Sequence, residues 1–154
     1  IDFPRAGNGW SYAHARRQWS LASNGFLRYS YLEAFDRAML ALVRQYGVLA
    51  DGYAYNLNMD TENKTVVFAH GDLVFVFNWH PTASIPDYVI PLLGPGRYRI
   101  VLDSDERRFG GLGRIDDSVR AFSFPVTDPQ GETRHCMKIY NVSRTAVVYR
   151  RMTR

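Results

Sequence analysis

The sequence of 154 residues has a single cysteine, lacks a long apolar run and contains no block of like charges. One thiol, Cys136, cannot form an internal disulfide, which indicates a reducing compartment. Its position in an apolar, strand-like run predicts a small core residue. A membrane-spanning helix needs roughly 18 or more consecutive apolar residues, and no segment here approaches that length. We therefore expect neither a disulfide framework nor a transmembrane helix.

Apolar residues make up 46% of the sequence, and the net charge is +4 at pH 7. That apolar fraction predicts a folded core rather than disorder. The modest positive charge permits binding to nucleic acid or an anionic surface but indicates neither. The sequence begins with Ile1 rather than Met, so we expect the chain to be a piece of a longer protein.

The first fifty residues have helical spacing. A short helix is predicted over residues 12–20 with Ser11 as its cap, and a longer one over residues 26–46 with Ser23 or Asn24 as its cap. The longer helix carries one apolar stripe at steps of three and four residues, which predicts that it packs on the rest of the domain. The stripe consists of Leu32, Phe35, Met39, Leu42 and Tyr46.

The remainder of the chain has the short apolar runs and turn signals of strands, after a polar connector at residues 50–64. Pro91 predicts an edge or a bulge for its strand. Strands are predicted over residues 65–69 and 73–79 as a hairpin, then 88–92, 97–102 and 119–126, and finally 133–142 and 145–150 as a closing hairpin. This spacing predicts an antiparallel β-sandwich, and the lack of strand–helix alternation disfavours a parallel sheet.

Two loop segments resemble ligand sites only superficially. The glycine run at residues 110–113 lacks the following Lys-Ser/Thr of a phosphate loop, so we interpret it as a mobile loop. A nearby acidic cluster lacks the ligand ladder of a calcium loop and is interpreted as a solvated loop with Asx turns. The cluster consists of Asp103, Asp105, Glu106, Asp116 and Asp117.

No catalytic constellation is evident in the sequence. The four histidines lack zinc-ligand spacing, and neither a serine elbow nor a cysteine–histidine context occurs. We predict no metal, no cofactor and no catalytic residue in this chain.

The segment from Trp10 to Trp19 is the most suggestive of binding, because aromatic rings beside guanidinium groups suit sugar rings and unstacked bases. The candidate carbohydrate-binding residues are Trp10, Tyr12, Arg17 and Trp19. The alternative is that the aromatic residues are core anchors and the arginines pair with nearby carboxylates.

Several stretches together are more specific than these patterns. They are Asp2-Phe3-Pro4-Arg5, Ala15-Arg16-Arg17-Gln18-Trp19, Phe35-Asp36-Arg37-Ala38-Met39, Phe75-Val76-Phe77-Asn78 with His80-Pro81, and Val101-Leu102-Asp103-Ser104-Asp105 with Phe109-Gly110-Gly111. In this order, and over nearly the whole chain, they resemble the C-terminal portion of 1,4-α-glucan branching enzymes, the glycogen and starch branching enzymes of the α-amylase superfamily (glycoside hydrolase family 13).

The resemblance implies a larger transferase that cuts an α-1,4-glucan and rejoins it through an α-1,6 link. Its catalytic Asp, Glu and Asp belong to a (β/α)₈ barrel upstream of Ile1, so none is assigned here. Residues 1–50 would be a remnant of the last barrel helices. Residues 51–154 would be the C-terminal all-β sandwich of α-amylase type, with Greek-key connections. The isolated chain would be inactive, with a tendency to self-associate.

The partners that the resemblance implies are an α-glucan and the missing barrel. It implies neither nucleic acid nor a membrane as a partner. The expected location is the cytoplasm, or a plastid for a plant-type starch pathway. The alternative is a stand-alone α-glucan-binding module without catalysis.

Overall fold

Alternating apolar residues in the second two-thirds of the chain build two antiparallel sheets. The structure, a computed structural model, describes residues 3–13, 15, 19–50 and 52–152. Within these residues the helices are α1 (Trp19–Ala22) and α2 (Tyr29–Gln45), with 3₁₀ turns at Ala6–Asn8 and Arg107–Phe109. The strands are β1 (Tyr55–Asp60), β2 (Thr65–His70), β3 (Leu73–Asn78), β4 (Ile85–Leu92), β5 (Arg97–Asp103), β6 (Ala121–Phe122), β7 (Phe124–Thr127), β8 (Thr133–Asn141) and β9 (Thr145–Met152).

The predicted antiparallel sandwich is confirmed. A six-stranded sheet has the order β1-β2-β3-β9-β5-β6, and a three-stranded sheet has the order β4-β8-β7. All of the paired strands run antiparallel. Apolar side chains from both sheets meet in what we call the inter-sheet core, which consists of Val67, Val74, Val76, Ile90, Leu92, Tyr98, Met137, Ile139, Val147 and Tyr149.

A second core lies on the outer face of the six-stranded sheet, beneath helix α2. This helix-side core has Leu42, Leu73, Leu102 and Val148 at its centre. The stripe predicted for the helix is only partly right. Phe35 and Tyr46 pack against this core as expected, but the other two members of the stripe face solvent, since Leu32 is 58% exposed and Met39 is 39% exposed.

The helix starts differ from the predictions. Helix α2 begins at Tyr29, and Asn24 instead forms a turn before it, in which the Asn24 side-chain oxygen accepts the N–H of Phe26 at 3.0 Å. The helix predicted over residues 12–20 is wrong at Tyr12, Ala13 and Ala15, which are not helical. Residues 14 and 16–18 of that prediction lie outside the described residues.

The connector predicted at residues 50–64 contains a strand, β1, that the sequence analysis missed. The polar side chains of β1 gave this segment the composition of a loop. Two of them, Asn58 and Asp60, form hydrogen bonds with the other sheet. The Tyr88 hydroxyl of β4 donates to Asp60 at 2.8 Å and accepts from the Asn58 amide at 3.1 Å. Burial and the Asp60 charge raise the pKa of Tyr88 to about 12. These bonds join the edge strands of the two sheets.

The hairpin of β2 and β3 forms as predicted, and the strand that contains Pro91 lies at an edge of its sheet, with a bulge between Ile85 and Tyr88. Two other predictions are wrong. The single strand at residues 119–126 is two short strands in different sheets, β6 and β7. The closing hairpin does not exist, because β8 and β9 also belong to different sheets and residues 142–144 cross between them.

The crossover is fixed by buried polar side chains. Asn78 donates through its amide to the backbone carbonyl of Asn141 at 3.2 Å, and Asn141 donates to the Thr65 hydroxyl at 2.8 Å. All three residues are at most 1% exposed. A buried polar group without a partner costs roughly 1–3 kcal/mol, so these mutual bonds favour one arrangement of the crossover.

The prediction of a solvated loop with Asx turns after β5 is wrong for Asp103, which is 1% exposed, and for Asp105, which is 5% exposed. It is right for Asp116 and Asp117, which are exposed, and Asx turns form at Asp103 and Asp116. The Arg114 guanidinium donates to both carboxylate oxygens of Asp105, at 3.1 and 2.9 Å, and to the backbone carbonyl of Ser143 at 3.0 Å. One arginine thus joins this loop to the crossover between the sheets.

The glycine run belongs to the same packed corner. A Cβ atom on Gly111 would overlap the backbone carbonyl group of Asp105, so only glycine permits this approach. The run is therefore required for close packing, which the interpretation as a mobile loop did not foresee.

The two buried carboxyl groups have opposite pKa shifts. Burial raises the pKa of Asp103 to about 6, and the charges of Asp105 and Glu106 act in the same direction. For Asp105, burial alone would raise the pKa, but the hydrogen bonds from Arg114 and the backbone outweigh it and lower the pKa. The structure thus stabilises the neutral form of Asp103 and the charged form of Asp105.

Among the described residues, no helix has both the length and the apolar character needed to cross a bilayer.

Replacing Asp103 with asparagine should stabilise the fold at neutral pH. Because the folded pKa of about 6 lies above the ordinary aspartate value of 3.8, the folded state binds more protons between these values and stability falls as pH rises through that window. Asp103→Asn removes the charge and keeps an oxygen for the Asp105 N–H. Denaturant unfolding should show a gain of about 1–3 kcal/mol at pH 7.5 and almost none at pH 4. An equal effect at both pH values, or a loss at pH 7.5, would contradict the assigned ionisation.

Candidate functional site

The aromatic residues predicted to contact carbohydrate lie at the start of the chain, on a loop held by local hydrogen bonds. The Arg5 N–H donates to the Asn8 side-chain oxygen at 3.0 Å, and the Asn8 amide donates to the Phe3 carbonyl at 3.1 Å. The chain then turns sharply, and the Trp10 N–H donates back to the Arg5 carbonyl at 3.0 Å. Trp10 has φ = 58°, which is uncommon for a large residue.

Three of the four predicted residues are largely exposed. Trp10 is 67% exposed, Tyr12 is 74% exposed, and Trp19, the first residue of α1, is 63% exposed. The alternative that they anchor the core of this chain is therefore wrong. The fourth predicted residue, Arg17, lies outside the described residues. Exposed flat rings can stack on a ligand, and the assignment of these residues to carbohydrate stays a prediction.

Helix α2 also carries exposed apolar side chains. The described sandwich covers the side of the helix that bears Leu42, whereas the side that bears Leu32 stays open. We call the open side the helical apolar surface. It comprises Tyr29, Leu32 and Met39. Exposed apolar patches of this kind mark contacts with another protein or a ligand.

The Asn78–His80 motif, which carried part of the family resemblance, has a structural role. The Asn78 side-chain oxygen accepts the His80 N–H at 2.8 Å. The His80 Nδ1 atom accepts the backbone N–H groups of Thr82 at 3.2 Å and Ala83 at 2.8 Å. These bonds build the turn after β3.

The two buried acidic residues of the loop after β5 are engaged in structure. A retaining glycosidase needs two carboxyl groups about 5–5.5 Å apart that both reach the sugar. Asp103 and Asp105 are buried, and Asp105 is bound by Arg114. Within the described residues, no group of three or more His, Cys, Asp or Glu side chains is placed to hold a metal ion.

A family model supports the fold. Residues 55–152 match the alpha amylase C-terminal all-beta domain. The match begins with the first residue of β1 and ends with the last residue of β9, so it covers every strand that the structure describes.

Relatives are similar over most of this chain. The chain is 50% identical over 129 residues to the 1,4-alpha-glucan-branching enzyme of Solanum tuberosum, which covers 84% of this chain and 15% of that protein. It is 42% identical over 158 residues to a chloroplastic/amyloplastic 1,4-alpha-glucan-branching enzyme of Oryza sativa subsp. japonica, which covers 99% of this chain and 19% of that protein. A Debaryomyces hansenii 1,4-alpha-glucan-branching enzyme is 42% identical over 96% of this chain and 22% of its own length.

The chain thus spans between 15% and 22% of the length of these relatives. The similarity confirms the predicted resemblance to branching enzymes, and the match to the family model covers all nine described strands. The chain belongs to the family of alpha amylase C-terminal all-beta domains.

Proposed function

We propose that this chain is the C-terminal part of a 1,4-α-glucan branching enzyme. The observation that carries the proposal is 42–50% identity, over 84–99% of this chain, to proteins of that name from two plants. The parent enzyme would transfer a segment of α-1,4-glucan to form an α-1,6 branch in glycogen or starch. Its location would be the cytoplasm, or a plastid if it serves a plant-type starch pathway.

Within such an enzyme the chain would support the catalytic barrel. The half-covered stripe of α2 is the supporting observation, because Leu42 is buried against the sandwich while Leu32 is 58% exposed. We propose that residues 1–50 are the remnant of the last barrel helices and that their open side packs on the barrel, with residues 51–154 as the sandwich domain. In the isolated chain the same surface would favour self-association.

The N-terminal loop would also contact glucan. The exposed rings of Trp10, Tyr12 and Trp19 are its platform, with Arg17 as a hydrogen-bond donor. The alternative, a stand-alone α-glucan-binding module, uses the same residues and differs only in having no barrel partner. Neither nucleic acid nor a membrane is proposed as a partner.

The isolated chain should not branch glucan. The reason is that the buried Asp105 is bound by Arg114, and the family's catalytic carboxylates are expected upstream. Incubating the chain with amylose should leave the iodine stain unchanged, whereas the parent enzyme should lower it. Turnover by the isolated chain would contradict the assignment of the chemistry to a barrel.

The aromatic loop should retard the chain on glucan. In affinity electrophoresis through amylopectin or glycogen, Trp10→Ala or Trp19→Ala should weaken retention several-fold, since each ring contributes apolar stacking area. Phe122→Ala is the matched control, because Phe122 is 61% exposed on β6 of the sandwich. If both tryptophan variants are retained like the unmodified chain, the loop has no glucan role.

A further inference from the structure

A groove lined by tyrosines lies where the end of α2, the segment before β1 and the turn between β2 and β3 meet. Its volume is about 540 Å³, within the roughly 300–1,000 Å³ typical of ligand sites. The groove contains none of the predicted carbohydrate-binding residues. The side chains that give it chemical character are Tyr46, Tyr53, Tyr55, His70, Asp72 and Arg150.

Two of the tyrosines present their rings to solvent. Tyr53 is 81% exposed and Tyr55 is 53% exposed. The chain reaches this position through Gly52, which has φ = 95° and lies against the His70 ring. A side chain at Gly52 would be strained in that conformation. Glycine therefore permits the backbone path that brings the tyrosines next to the β2–β3 turn.

The other walls of the groove are held by contacts. Tyr46 packs against the helix-side core, and the Arg150 guanidinium carbon lies 5.0 Å from the centroid of the Tyr46 ring. The Asp72 carboxylate accepts from Arg151 Nε at 3.1 Å. The groove therefore combines fixed polar groups with two open aromatic rings.

This combination suits a neutral, polyhydroxylated ligand. A pyranose ring has an apolar C–H face that can lie on a tyrosine ring and hydroxyl groups that can bond carboxylate, imidazole and guanidinium groups. A nucleic acid would also stack, but it needs a basic groove that follows its phosphates, and among the described residues that line this groove Arg150 is the only arginine or lysine. The ring exposure favours an extended chain, which can lie along an open groove.

We propose that the groove of Tyr46, Tyr53, Tyr55, His70, Asp72 and Arg150 is a second carbohydrate-binding site, separate in sequence from the N-terminal aromatic loop. The Tyr53 and Tyr55 rings stack on successive sugar units, and Asp72 and Arg150 bond their hydroxyl groups. The choice of α-1,4-glucan over another neutral oligosaccharide rests on the proposed function.

The test is a titration of the ¹⁵N-labelled chain with maltoheptaose, followed by amide chemical shifts. The chemical shifts of the Tyr53, Tyr55 and Asp72 amides should change on addition of maltoheptaose. The change should reach saturation at millimolar concentrations or below. The Tyr53→Ala/Tyr55→Ala double variant should weaken binding at this group of amides at least tenfold. Tyr140→Ala is the matched control, since it removes the same side chain from a residue on β8 that is 45% exposed and does not line the groove, and it should leave these shifts unchanged.

Three outcomes would overturn the proposal. The first is that the groove amides do not shift at up to tens of millimolar maltoheptaose. The second is that the double variant binds maltoheptaose as tightly as the unmodified chain, and the third is that these amides respond to an oligonucleotide in a salt-dependent way but not to the sugar. Unchanged amide dispersion in the double variant shows that it is folded.

If the groove does not bind maltoheptaose while the parent enzyme branches amylose, only this inference is lost. If the groove binds cellohexaose in preference to maltoheptaose, the site stands and the proposed α-glucan function is contradicted.

Discussion

The six-stranded sheet must be covered on both faces, and the rest of the structure depends on that constraint. Along β3, Val74 and Val76 face the inter-sheet core while Leu73 faces helix α2. The same division holds in β9, where Val147 and Val148 belong to different cores. A strand that is apolar on both sides needs a layer of protein above and below it. Here one layer is the three-stranded sheet and the other is a helix from the first fifty residues.

The energies show why the helix cannot be treated as an appendage. The four central side chains of the helix-side core are Leu42, Leu73, Leu102 and Val148. Burying each contributes about 1.5–3 kcal/mol, or about 6–12 kcal/mol together, an upper estimate because unfolded chains already bury some apolar surface. Net stabilities of domains are about 5–15 kcal/mol. Losing the cover of α2 would expose Leu73, Leu102 and Val148 to water and would therefore destabilise the sandwich.

Polar bonds then select one topology among those that would bury the same apolar surface. The paired Asp105 and Arg114 hold the loop after β5 against Ser143, and Asn78 holds Asn141 at the crossover. Buried ion pairs contribute little net stability, but removing one partner costs about 3–5 kcal/mol. We infer that these bonds specify where the chain passes from one sheet to the other.

The sequence predicted what depends on local periodicity and missed what depends on distant partners. The β2–β3 hairpin and the fold class follow from alternation and turn residues. The sheet to which β9 belongs does not, because its neighbours β3 and β5 lie far away in sequence. The burial of Asp105 depends on Arg114, nine residues later, and β1 resembles a loop until the bond between Asp60 and Tyr88 is known.

The candidate sites show the same limit. Aromatic residues near arginines indicated the N-terminal loop, but the sequence did not reveal whether Trp10 and Trp19 were exposed. The tyrosine groove brings together Tyr46, Tyr53, His70 and Arg150 from separate elements, and no local pattern links them. Sequence reasoning found the segment whose residues are adjacent and missed the site that the fold assembles.

The central claim is that α2 and the sandwich form one cooperative unit, and native-state hydrogen exchange of β9 amides in Leu42→Ala tests it most directly. Leu42 is 5% exposed, and Leu40, two residues earlier on the same helix, is 56% exposed and provides the control as Leu40→Ala. Leu42→Ala should lower the protection free energy of both α2 and β9 amides by about 2–5 kcal/mol, and Leu40→Ala should change neither by more than about 0.5 kcal/mol. If Leu42→Ala weakens protection in α2 and leaves β9 unchanged, the helix is an independent appendage and the account is wrong.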